Sequence, residues 1–471
     1  MHANMLRHCS SLLTPMHAPI RVSLAATIVV GLFGAPFGIG RAYASGYALR
    51  EQSASALGNA FAGATAFADD LSYMYFNPAA LTRQSGTQVV PVVSGILPQL
   101  KMHDVRGETG AGTPISGNQG GQNVAEGNVV PALYGLLDLQ DAFALEQNVK
   151  FGIGVNVPFG VETDYQDDWI GRYHALHSKV LAVNVNPALA WEVTHGVSLA
   201  VGLQVQYLKA QISNAIDMGT IGASFRIPGS QPGAQDGHGK VSGDDVGYGF
   251  NLGALWEPWT GTRIGASYRS AIEHDLEGDA SFEPGGSAVA QTLTQNGLFQ
   301  DTGATAHVVT PETISLGVYH ELSPHWAVMS EVQWTRWSRF DDLTVKFDNP
   351  AQPNSATDEN WKDTWFLAVG LTWKPDDAWA LRGGAAWDQD PTPDQRRSPR
   401  IPTDDRYWIA LGVGWQPLPD LTFDLGYTHI FFDDAPINLS RNQPGNAARG
   451  DLSGNAKGGV DILTLQLRWA L

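Results

Sequence analysis

The chain has little cysteine and little charge. Its single cysteine, Cys9, lies in an N-terminal segment that we expect to be removed, so the mature chain has neither a disulfide nor a thiol nucleophile. Charged residues make up only 16% of the 471 residues. Residues 1–44 hold three of the 29 basic residues and none of the 47 acidic ones, so their removal changes the net charge from −18 to about −21. This acidic balance argues against nucleic acid as a partner.

Long apolar runs are missing beyond residue 44. No stretch of about 18 apolar residues follows that position, which excludes a membrane-spanning helix. Before it, the apolar run Val22–Phe37 leads to Ala42-Tyr43-Ala44, a small-residue cleavage site. These features predict a secretory signal peptide over residues 1–44, cleaved after Ala44. Its basic N-terminal part is unusually long, so either Met1 or Met16 is the translation start.

Alternation of apolar and polar residues is the main positive signal. The end of the chain places Leu463 and Leu465 on one face of a strand and Thr464 and Gln466 on the other. An outer-membrane barrel needs such a closing strand, because one face meets lipid, the other meets a wet lumen, and no edge stays unpaired. Similar stretches are Val197–Tyr207, Tyr248–Trp256, Thr364–Trp373, Ala378–Trp387, Tyr407–Trp415 and Leu421–Phe431. We therefore predict an all-β, transmembrane antiparallel β-barrel of about 14 strands over residues 86–471.

The connections between these strands alternate in length along the chain. The short ones are 195–196, 259–262, 323–325, 375–377 and 418–420, and the long ones are about 213–243, 277–308, 341–360, 388–404 and 433–459. Bacterial barrels have short periplasmic turns and long external loops. Tryptophans border the short turns, which indicates an aromatic girdle at one membrane interface. They are Trp256, Trp259, Trp326, Trp373, Trp379, Trp415 and Trp469.

Residues 45–85 do not alternate. The segment is rich in alanine and glycine, as in Gly58-Asn59-Ala60-Phe61-Ala62-Gly63, and is typical of short helices. It precedes the first predicted strand and is not a membrane crossing. We expect it to form a plug, or hatch, inside the lumen, because an open pore of this size would leak.

Several motifs follow one another in order. They are Ser45-Gly46-Tyr47, Gly58-Asn59-Ala60-Phe61-Ala62-Gly63, Ala68-Asp69-Asp70, Asn77-Pro78-Ala79-Ala80-Leu81, Tyr268-Arg269-Ser270 with Gly278-Asp279, Trp334-Thr335-Arg336-Trp337-Ser338-Arg339-Phe340 and Ile401-Pro402-Thr403-Asp404-Asp405-Arg406-Tyr407-Trp408. Together they resemble the FadL family of outer-membrane long-chain fatty acid transporters, over essentially the whole chain after residue 44. The chain departs from the family pattern at two places. It ends in Leu471, where such barrels usually end in Phe, and its segment at 213–243 is rich in Gly and Asp.

The resemblance implies passive uptake of hydrophobic molecules, with residues 45–85 as the plug and Asn77-Pro78-Ala79 as the plug motif. It further implies that ligand is captured outside, passes to an inner pocket and leaves sideways through a gap opened by a kink in the third strand, here about Val149–Pro158. Pro158 lacks a ladder donor and Gly160 allows unusual backbone angles, although Pro158 also suits a plain strand end. A sideways exit is favourable, because a chain of about 16 carbons crossing water exposes about 15 methylenes, on the order of 10 kcal/mol.

The resemblance also implies the ligand-binding residues. In the family a basic pair meets the carboxylate of the fatty acid in the deep pocket, and Lys209 and Lys362 match its two positions. Lysine lacks the bidentate fork of arginine, so selectivity for carboxylates would be looser, and the plainer alternative is that both lie at strand ends in solvent. By alternation Phe366 and Trp408 are candidate pocket walls, and Tyr47 lies close enough to the mature N-terminus to reach a ligand.

The sequence leaves open other substrates and other classes of protein. Relatives also take up aromatic hydrocarbons, and an outer-membrane lipase or esterase would need a nucleophile beside a histidine, but no G-x-S-x-G elbow occurs. The predicted plug argues against a general, water-filled porin. His174 and His177 resemble solvated histidines more than metal ligands, and Asp236–Asp245 resembles a surface loop more than a calcium site. We therefore expect no enzyme activity, metal or cofactor, and as partners a hydrophobic ligand, outer-membrane lipids and the barrel-assembly machinery.

Overall fold

The computed structural model of the protein describes residues 46–125 and 127–471, so the predicted signal peptide and its cleavage site lie outside the described residues. Within these ranges one sheet contains 19 antiparallel strand segments. They are β1 (Gln88–Glu108), β2 (Asn128–Asp138), β3 (Val149–Asp164), β4 (His177–Thr194), β5 (Val197–Asp217), β6 (Asp236–Trp259), β7 (Thr262–Arg269), β8 (Ile272–Glu283), β9 (Thr302–Thr310), β10 (Thr313–Ser323), β11 (Trp326–Thr335), β12 (Asp342–Phe347), β13 (Ser355–Asp358), β14 (Thr364–Trp373), β15 (Trp379–Asp388), β16 (Arg406–Leu418), β17 (Leu421–Phe432), β18 (Ala435–Leu439) and β19 (Asp451–Ala470).

The segments form a closed barrel. Five consecutive pairs, β7–β8, β9–β10, β11–β12, β13–β14 and β17–β18, continue one another, which gives the predicted 14 barrel strands. The last strand closes on the first, with Gln88 opposite Ala470 and Glu108 opposite Asp451. Closure leaves no unpaired edge, which a sheet surrounded by lipid requires. No helix in the described ranges is long and apolar enough to cross a membrane.

Side chains alternate across the barrel wall as the sequence predicts. On β14, Trp365 and Leu367 are exposed on the outer face, whereas Phe366 and Ala368 are buried inside. At the end with the short turns, tryptophans stack in pairs: the rings of Trp326 and Trp373 are 5.7 Å apart, and those of Trp379 and Trp415 are 5.8 Å apart. The tryptophans therefore form a girdle where amphipathic rings favour the membrane interface.

The long connections lie at the other end and are shorter than predicted, because several strands continue beyond the bilayer. β5 and β6 stay paired up to Asp217 and Asp236, so the segment expected as a loop at 213–243 is a hairpin closed by residues 218–235. Its outer part is polar and rich in glycine, which hides the alternation of a lipid-facing strand. Two short helices pack together at this end, α3 (Met218–Ser224) and α4 (Ala288–Gln295), while α2 (Leu139–Phe143) lies in a turn at the opposite end.

Residues 46–86 run inside the barrel. They include α1 (Ala54–Leu57) and two 3-10 helices, Leu71–Tyr75 and Pro78–Arg83, and nearly all of their side chains are buried. Hydrogen bonds connect the segment to opposite sides of the wall, since Ser94 Oγ donates to Glu51 O and Thr65 donates to Glu331. This placement is consistent with the predicted plug, whose function as a barrier stays a prediction.

Glycines on the inner face allow the segment to lie directly on the wall. A Cβ atom at Gly265 would be 1.9 Å from Thr65 O, and one at Gly384 would be 2.2 Å from Asn59 O. Any side chain at these positions would displace the backbone of residues 46–86. The small inward residues that the sequence shows therefore accommodate a packed segment rather than an empty lumen.

Candidate functional site

An apolar cavity lies inside the barrel toward the end with the long connections. Its walls are inward-facing aliphatic residues of β3 to β6, β8, β9 and β12, together with Tyr47, Phe340 and Trp361. They include Val161, Val180, Leu208, Ala210, Ile212, Val241, Leu276, Val308, Leu343, Val345 and Ile401. We name this space the slot. Its lining matches a hydrophobic ligand with few polar groups.

A wider outer cavity connects the slot to the surface. It shares Ile212, Leu343 and Arg400 with the slot and is bordered by Phe225, which is 64% exposed. Its volume is about 410 Å³, against about 110 Å³ for the slot. The outer cavity therefore forms a wide mouth above a narrow pocket that suits one thin molecule.

One wall of the slot holds Arg400, from the 389–405 connection. Its Nη1 donates to Ser178 Oγ at 2.8 Å and to two carbonyl oxygens at 3.4 Å. Its side chain forms no ion pair with any residue in the described part of the chain. By contrast Lys179, which also lines the slot, contacts Glu162 at 3.0 Å. Arg400 is therefore a cation without a fixed anion at the edge of an apolar space, and an anionic ligand would neutralise it.

Two groups near Arg400 adjust the electrostatics of the slot. Burial lowers the pKa of Arg400 to about 9, and the nearby charge of Arg449 lowers it further. Burial also raises the pKa of the Glu359 carboxyl to about 7, while a 3.1 Å hydrogen bond from Trp361 Nε1 acts in the opposite direction. The Arg449 guanidinium donates to the Thr357 and Ser355 hydroxyls at 2.9 and 3.1 Å. Arg400 and Arg449 thus lie near the Glu359 carboxyl, which is partly neutral at pH 7.

An aromatic cluster forms the floor of the slot. The ring of Tyr47 is 4.9 Å from Trp337, 5.9 Å from Trp361 and 6.0 Å from Phe340. It is also 5.6 Å from Phe159. Tyr47 therefore lies at the boundary between the slot and the space below, and its predicted contact with a ligand stays a prediction.

A second, inner cavity lies below this floor. Phe61, Phe76, Phe159 and Trp337 line it together with Arg50, Arg269, Gln333, Glu331, Asp388 and Trp408. The predicted wall residues are both inside the barrel: Trp408 lines this cavity, and Phe366 packs edge-on to Trp408 with the ring centres 6.3 Å apart. Whether either residue contacts a ligand stays a prediction.

The third strand is irregular where the kink was predicted. Pairing of β3 with β2 ends at Val155, and its register with β4 shifts between Asn156 and Phe159. The N-terminal segment takes the free edge, since Leu49 N donates to Pro158 O and Gly160 N donates to Tyr47 O, both at 2.8 Å. The structure therefore has a break between β2 and β3 next to the inner cavity.

The structure explains the glycine at position 160 by packing rather than by the backbone angles that the sequence suggested. It is absent from the residues with left-handed backbone angles, so conformational freedom does not explain it. A Cβ atom there would lie 3.0 Å from Leu49 Cδ1. The glycine therefore allows the N-terminal segment to approach β3, a packing reason that sequence patterns do not reveal.

Lys209 and Lys362 lie outside all three cavities. On β5, Leu208 and Ala210 point into the slot, so Lys209 between them faces outward, in register with Asp244. Lys362 is exposed between β13 and β14. The structure brings neither lysine to the slot or to the inner cavity; Arg400 borders the slot, and Arg50 and Arg269 border the inner cavity. Sequence reasoning missed Arg400 because it lies in a long connection, where no periodicity indicates the direction of a side chain.

The plug motif ties the N-terminal segment to the wall. Asn77 Oδ1 accepts from Ala79 N at 3.0 Å and so caps the following 3-10 helix, in which Pro78 takes the first position. Asn77 Nδ2 donates to Thr65 O at 2.7 Å and to Ala254 O of β6 at 2.9 Å. The motif therefore has a structural contact for each of its polar groups.

Asp236 and His177, two of the residues that the sequence raised as metal candidates, contact other side chains, whereas His174 is buried rather than in solvent. Asp236 accepts from Arg172 Nε at 2.7 Å and from the Tyr173 hydroxyl at 2.6 Å, on β6 rather than in a loop. His177 lies 3.5 Å from Glu162 and 3.4 Å from Asp164. Over the described ranges, no group of three or more His, Cys, Asp or Glu side chains is arranged to hold a metal ion.

Comparison with known sequences gives one family. The family model described as outer membrane protein transport protein (OMPP1/FadL/TodX) matches residues 37–471. A putative outer membrane protein of Neisseria meningitidis, NMB0088, is 28% identical over 457 residues, which cover 92% of this chain and 96% of the relative. A long-chain fatty acid transport protein of Escherichia coli O6:H1 is 28% identical over 408 residues, or 83% of this chain and 87% of the relative.

Comparison with solved structures agrees. A Pseudomonas aeruginosa FadL homologue superposes with a TM-score of 0.82 at 25% identity, over 90% of this chain and 99% of the homologue. The Pseudomonas putida toluene transporter TodX superposes with a TM-score of 0.62 at 15% identity, over 85% of this chain and 94% of TodX. The second likeness shows the shared fold alone.

Proposed function

Because the chain belongs to the OMPP1/FadL/TodX family of outer-membrane transporters of hydrophobic compounds, we propose that its cargo is long-chain fatty acids. The fatty acid binds in the slot with its acyl chain along the aliphatic walls and its carboxylate at Arg400. Movement is passive, and the molecule leaves through the break between β2 and β3 into the lipid.

The carboxylate contact at Arg400 carries this proposal. A charged hydrogen bond in a dry cavity is stronger than a neutral one, and an arginine offers two parallel donors to a carboxylate. Nη1 of Arg400 makes the hydrogen bonds to Ser178 and the two carbonyls, and Nη2 and Nε donate to no described residue. A neutral hydrocarbon would fill the slot but would leave this charge without a partner.

Transport of aromatic hydrocarbons is the second candidate. The aromatic floor formed by Tyr47, Trp337, Phe340 and Trp361 favours flat apolar rings. Such ligands need no basic residue, so uptake of toluene would not depend on Arg400.

Uptake assays distinguish the two candidates. Cells that lack their own fatty acid transporter are given this protein and then radiolabelled oleate or toluene. Losing the charged contact in Arg400→Gln is expected to weaken oleate binding by on the order of 10- to 100-fold, so oleate uptake at low concentration falls, while toluene uptake is unchanged. Arg396→Gln is the matched control, because Arg396 lies in the same connection and pairs with Asp358 at 3.2 Å. Oleate uptake that is equal in the wild type and in Arg400→Gln would contradict the proposal.

A further inference from the structure

We propose that the outer surface of the barrel carries a binding site for the phosphates of an outer-leaflet glycolipid. The site is formed by Lys101, Arg106 and Lys457, with His103 beside them, and we name these four residues the basic patch. The outer leaflet of a bacterial outer membrane consists of glycolipids whose sugar headgroups bear phosphates. The patch lies on the outside of the wall, away from the slot and the inner cavity, so it does not depend on the identity of the cargo.

Lys101 and Lys457 face each other on neighbouring strands. They occupy directly opposite positions where β1 pairs with β19, and both are exposed. Leu100 and Met102, on either side of Lys101, are buried inside the barrel, and so is Ala456 beside Lys457. Both lysines therefore point outward. Like charges opposite each other in a sheet are unfavourable, and a phosphate bound between them would remove the repulsion.

A β-bulge adds Arg106 to the same face. The register of β1 against β19 shifts between His103 and Arg106, so three residues of β1 advance against two of β19. The extra residue inverts the alternation, because Val105 is buried and Arg106 is exposed in its place. Asp104, within the bulge, has a φ of 53°, a left-handed angle that residues other than glycine seldom adopt. The irregular backbone therefore aligns a third cation with the two lysines.

The basic patch lies at the height of lipid headgroups, at the end with the long connections. On β19, Lys457 is 12 positions from Trp469, which belongs to the girdle at the short turns. A tilted strand advances about 2.5 Å per residue along the membrane normal, which places Lys457 about 30 Å above the girdle, whereas the apolar band is about 25 Å tall. Below the patch, Leu97 and Leu463 are exposed and continue the lipid-facing surface. The patch therefore begins where hydrocarbon ends and phosphate begins.

The cations of the patch keep donors available. Among the described residues, Lys101 and Arg106 form no ion pair within 4.0 Å and no side-chain hydrogen bond. Lys457 contacts Asp434 at 2.7 Å, and both of these side chains are more than half exposed to solvent. An arginine offers two parallel donors to a phosphate, and a lysine adds a point charge. The three side chains together therefore suit a phosphate that approaches from the membrane.

Most acidic residues around the patch have other partners. Glu108 and Asp451, above it, both pair with Arg441. Asp461, below it, contacts a histidine and a tyrosine of β17. Asp104 is exposed in the bulge and forms no ion pair within the described ranges. With Asp104 and the partner of Lys457 counted, the three cations still leave an excess of positive charge.

The opposite side of the barrel has the reverse charge. β8 lies about half-way around the wall from β1 and β19, and its exposed positions include Glu273, Asp275, Glu277 and Asp279. A basic outer surface is therefore a local feature and not a general property of the strand ends. The acidic row of a second copy is the other conceivable occupant of the patch. Such a head-to-tail contact does not close on itself, whereas lipid phosphates surround every barrel at this height, so we assign the patch to lipid.

The test measures the binding of lipid A, the phosphorylated glycolipid anchor of this leaflet, to the purified protein in mild detergent by thermophoresis. Lipid A with two phosphates is compared with the same lipid after both phosphates are removed. For wild type we expect the phosphorylated lipid to bind at least about tenfold more tightly. Lys101→Gln combined with Arg106→Gln is expected to lose this preference, while oleate binding within twofold of wild type shows that the double variant is folded.

Lys240→Gln combined with Lys346→Gln is the matched control, because it removes the same amount of charge from exposed strand positions. Lys240 lies between Ser213 and Ser281 of the adjacent strands. Lys346 lies opposite Thr305. Neither lysine therefore has a second cation across the strand, and we expect binding of lipid A to this control within twofold of wild type.

Three results would overturn the inference directly: equal binding of the two lipids by wild type, an unchanged preference in the Lys101 and Arg106 double variant, or the same loss in the control. Inorganic phosphate at millimolar concentration is a further arm, and complete displacement of lipid A by it would assign the patch to free phosphate instead. Mass photometry tests the remaining occupant. Species larger than one copy that disappear in the double variant, without a preference for the phosphorylated lipid, would assign the patch to protein contact and contradict the inference.

Discussion

Two groups of arginines inside this barrel differ in their partners. Near the short turns, Arg382 contacts Asp424 at 2.9 Å and Asp69 at 3.2 Å, and Arg468 contacts Asp424 at 2.9 Å. Around the cavities, Arg400 and Arg50 have only neutral acceptors among the residues that the structure describes. Arg382 and Arg468 are paired and contact Asp69 of the N-terminal segment, whereas Arg400 and Arg50 keep donors available for the proposed ligand.

The paired end is a network centred on one residue of the N-terminal segment. Asp69 lies within 4.0 Å of Lys374, Arg382 and Arg468, which come from three different parts of the wall. Burial alone would raise the pKa of the Asp69 carboxyl, but these three cations hold it below its usual range. The charge on Asp69 is therefore fixed at neutral pH and fastens the segment to the barrel.

The largest effect is expected from breaking this network. Arg382→Ala removes the central cation and leaves the buried Asp424 and Asp69 with less compensation, which is expected to lower the free energy of unfolding by about 3–5 kcal/mol. Urea titration in lipid vesicles, followed by tryptophan fluorescence, measures the change. In Arg400→Ala the loss is expected to stay below about 1 kcal/mol. Equal losses in both variants would break the distinction between the two ends.

A second prediction concerns packing rather than charge. Gly384→Val places a side chain where the Cβ alone would be 2.2 Å from Asn59 O. We expect a loss of about 1–3 kcal/mol in unfolding free energy and a higher ion conductance in planar bilayers, because the N-terminal segment is displaced. Gly383→Val is the matched control, since its neighbour at 3.8 Å is Leu411 Cδ2 on the other face. Unchanged conductance in Gly384→Val would show that this segment does not seal the lumen.

The smallest expected effect is a pH dependence of oleate binding at Arg400, which has no paired carboxylate in the described part of the chain. Glu359 has a pKa of about 7, so it loses its negative charge as the pH falls from 8 to 6. Repulsion of a carboxylate at Arg400 then decreases, and oleate is expected to bind a few-fold more tightly at pH 6 than at pH 8. Calorimetry at both pH values measures the difference. In Glu359→Gln the difference should vanish, and an unchanged pH dependence in that variant would contradict the role of Glu359.

Most of the fold follows from the sequence, because alternation and loop length are local signals. The period of two in Thr364–Trp373 gives β14 with the same bounds, and the apolar alternation of the last residues gives the closing strand. The sequence pattern did not predict the outer extension of β5 and β6, because strands that lie in water need no apolar face.

The site was less predictable. Tyr47, Phe366 and Trp408 lie inside the barrel as expected, because alternation and proximity to the N-terminus carry that information. The family resemblance predicts Lys209 as a ligand-binding residue. Its neighbours Leu208 and Ala210 lie on the inward face of β5, so Lys209 points outward. The position of the Arg400 side chain depends on how the 17-residue connection between β15 and β16 folds over the slot. No local sequence pattern predicts that fold.

The most direct test of the account is native mass spectrometry of the protein purified in mild detergent from cells that make long-chain fatty acids. We expect a fatty acid to remain bound to wild type and to Arg396→Gln, and to be largely absent from Arg400→Gln. Wild type without any bound acid, or the same amount of acid on Arg400→Gln, would contradict the claim that the slot and Arg400 together recognise a fatty acid.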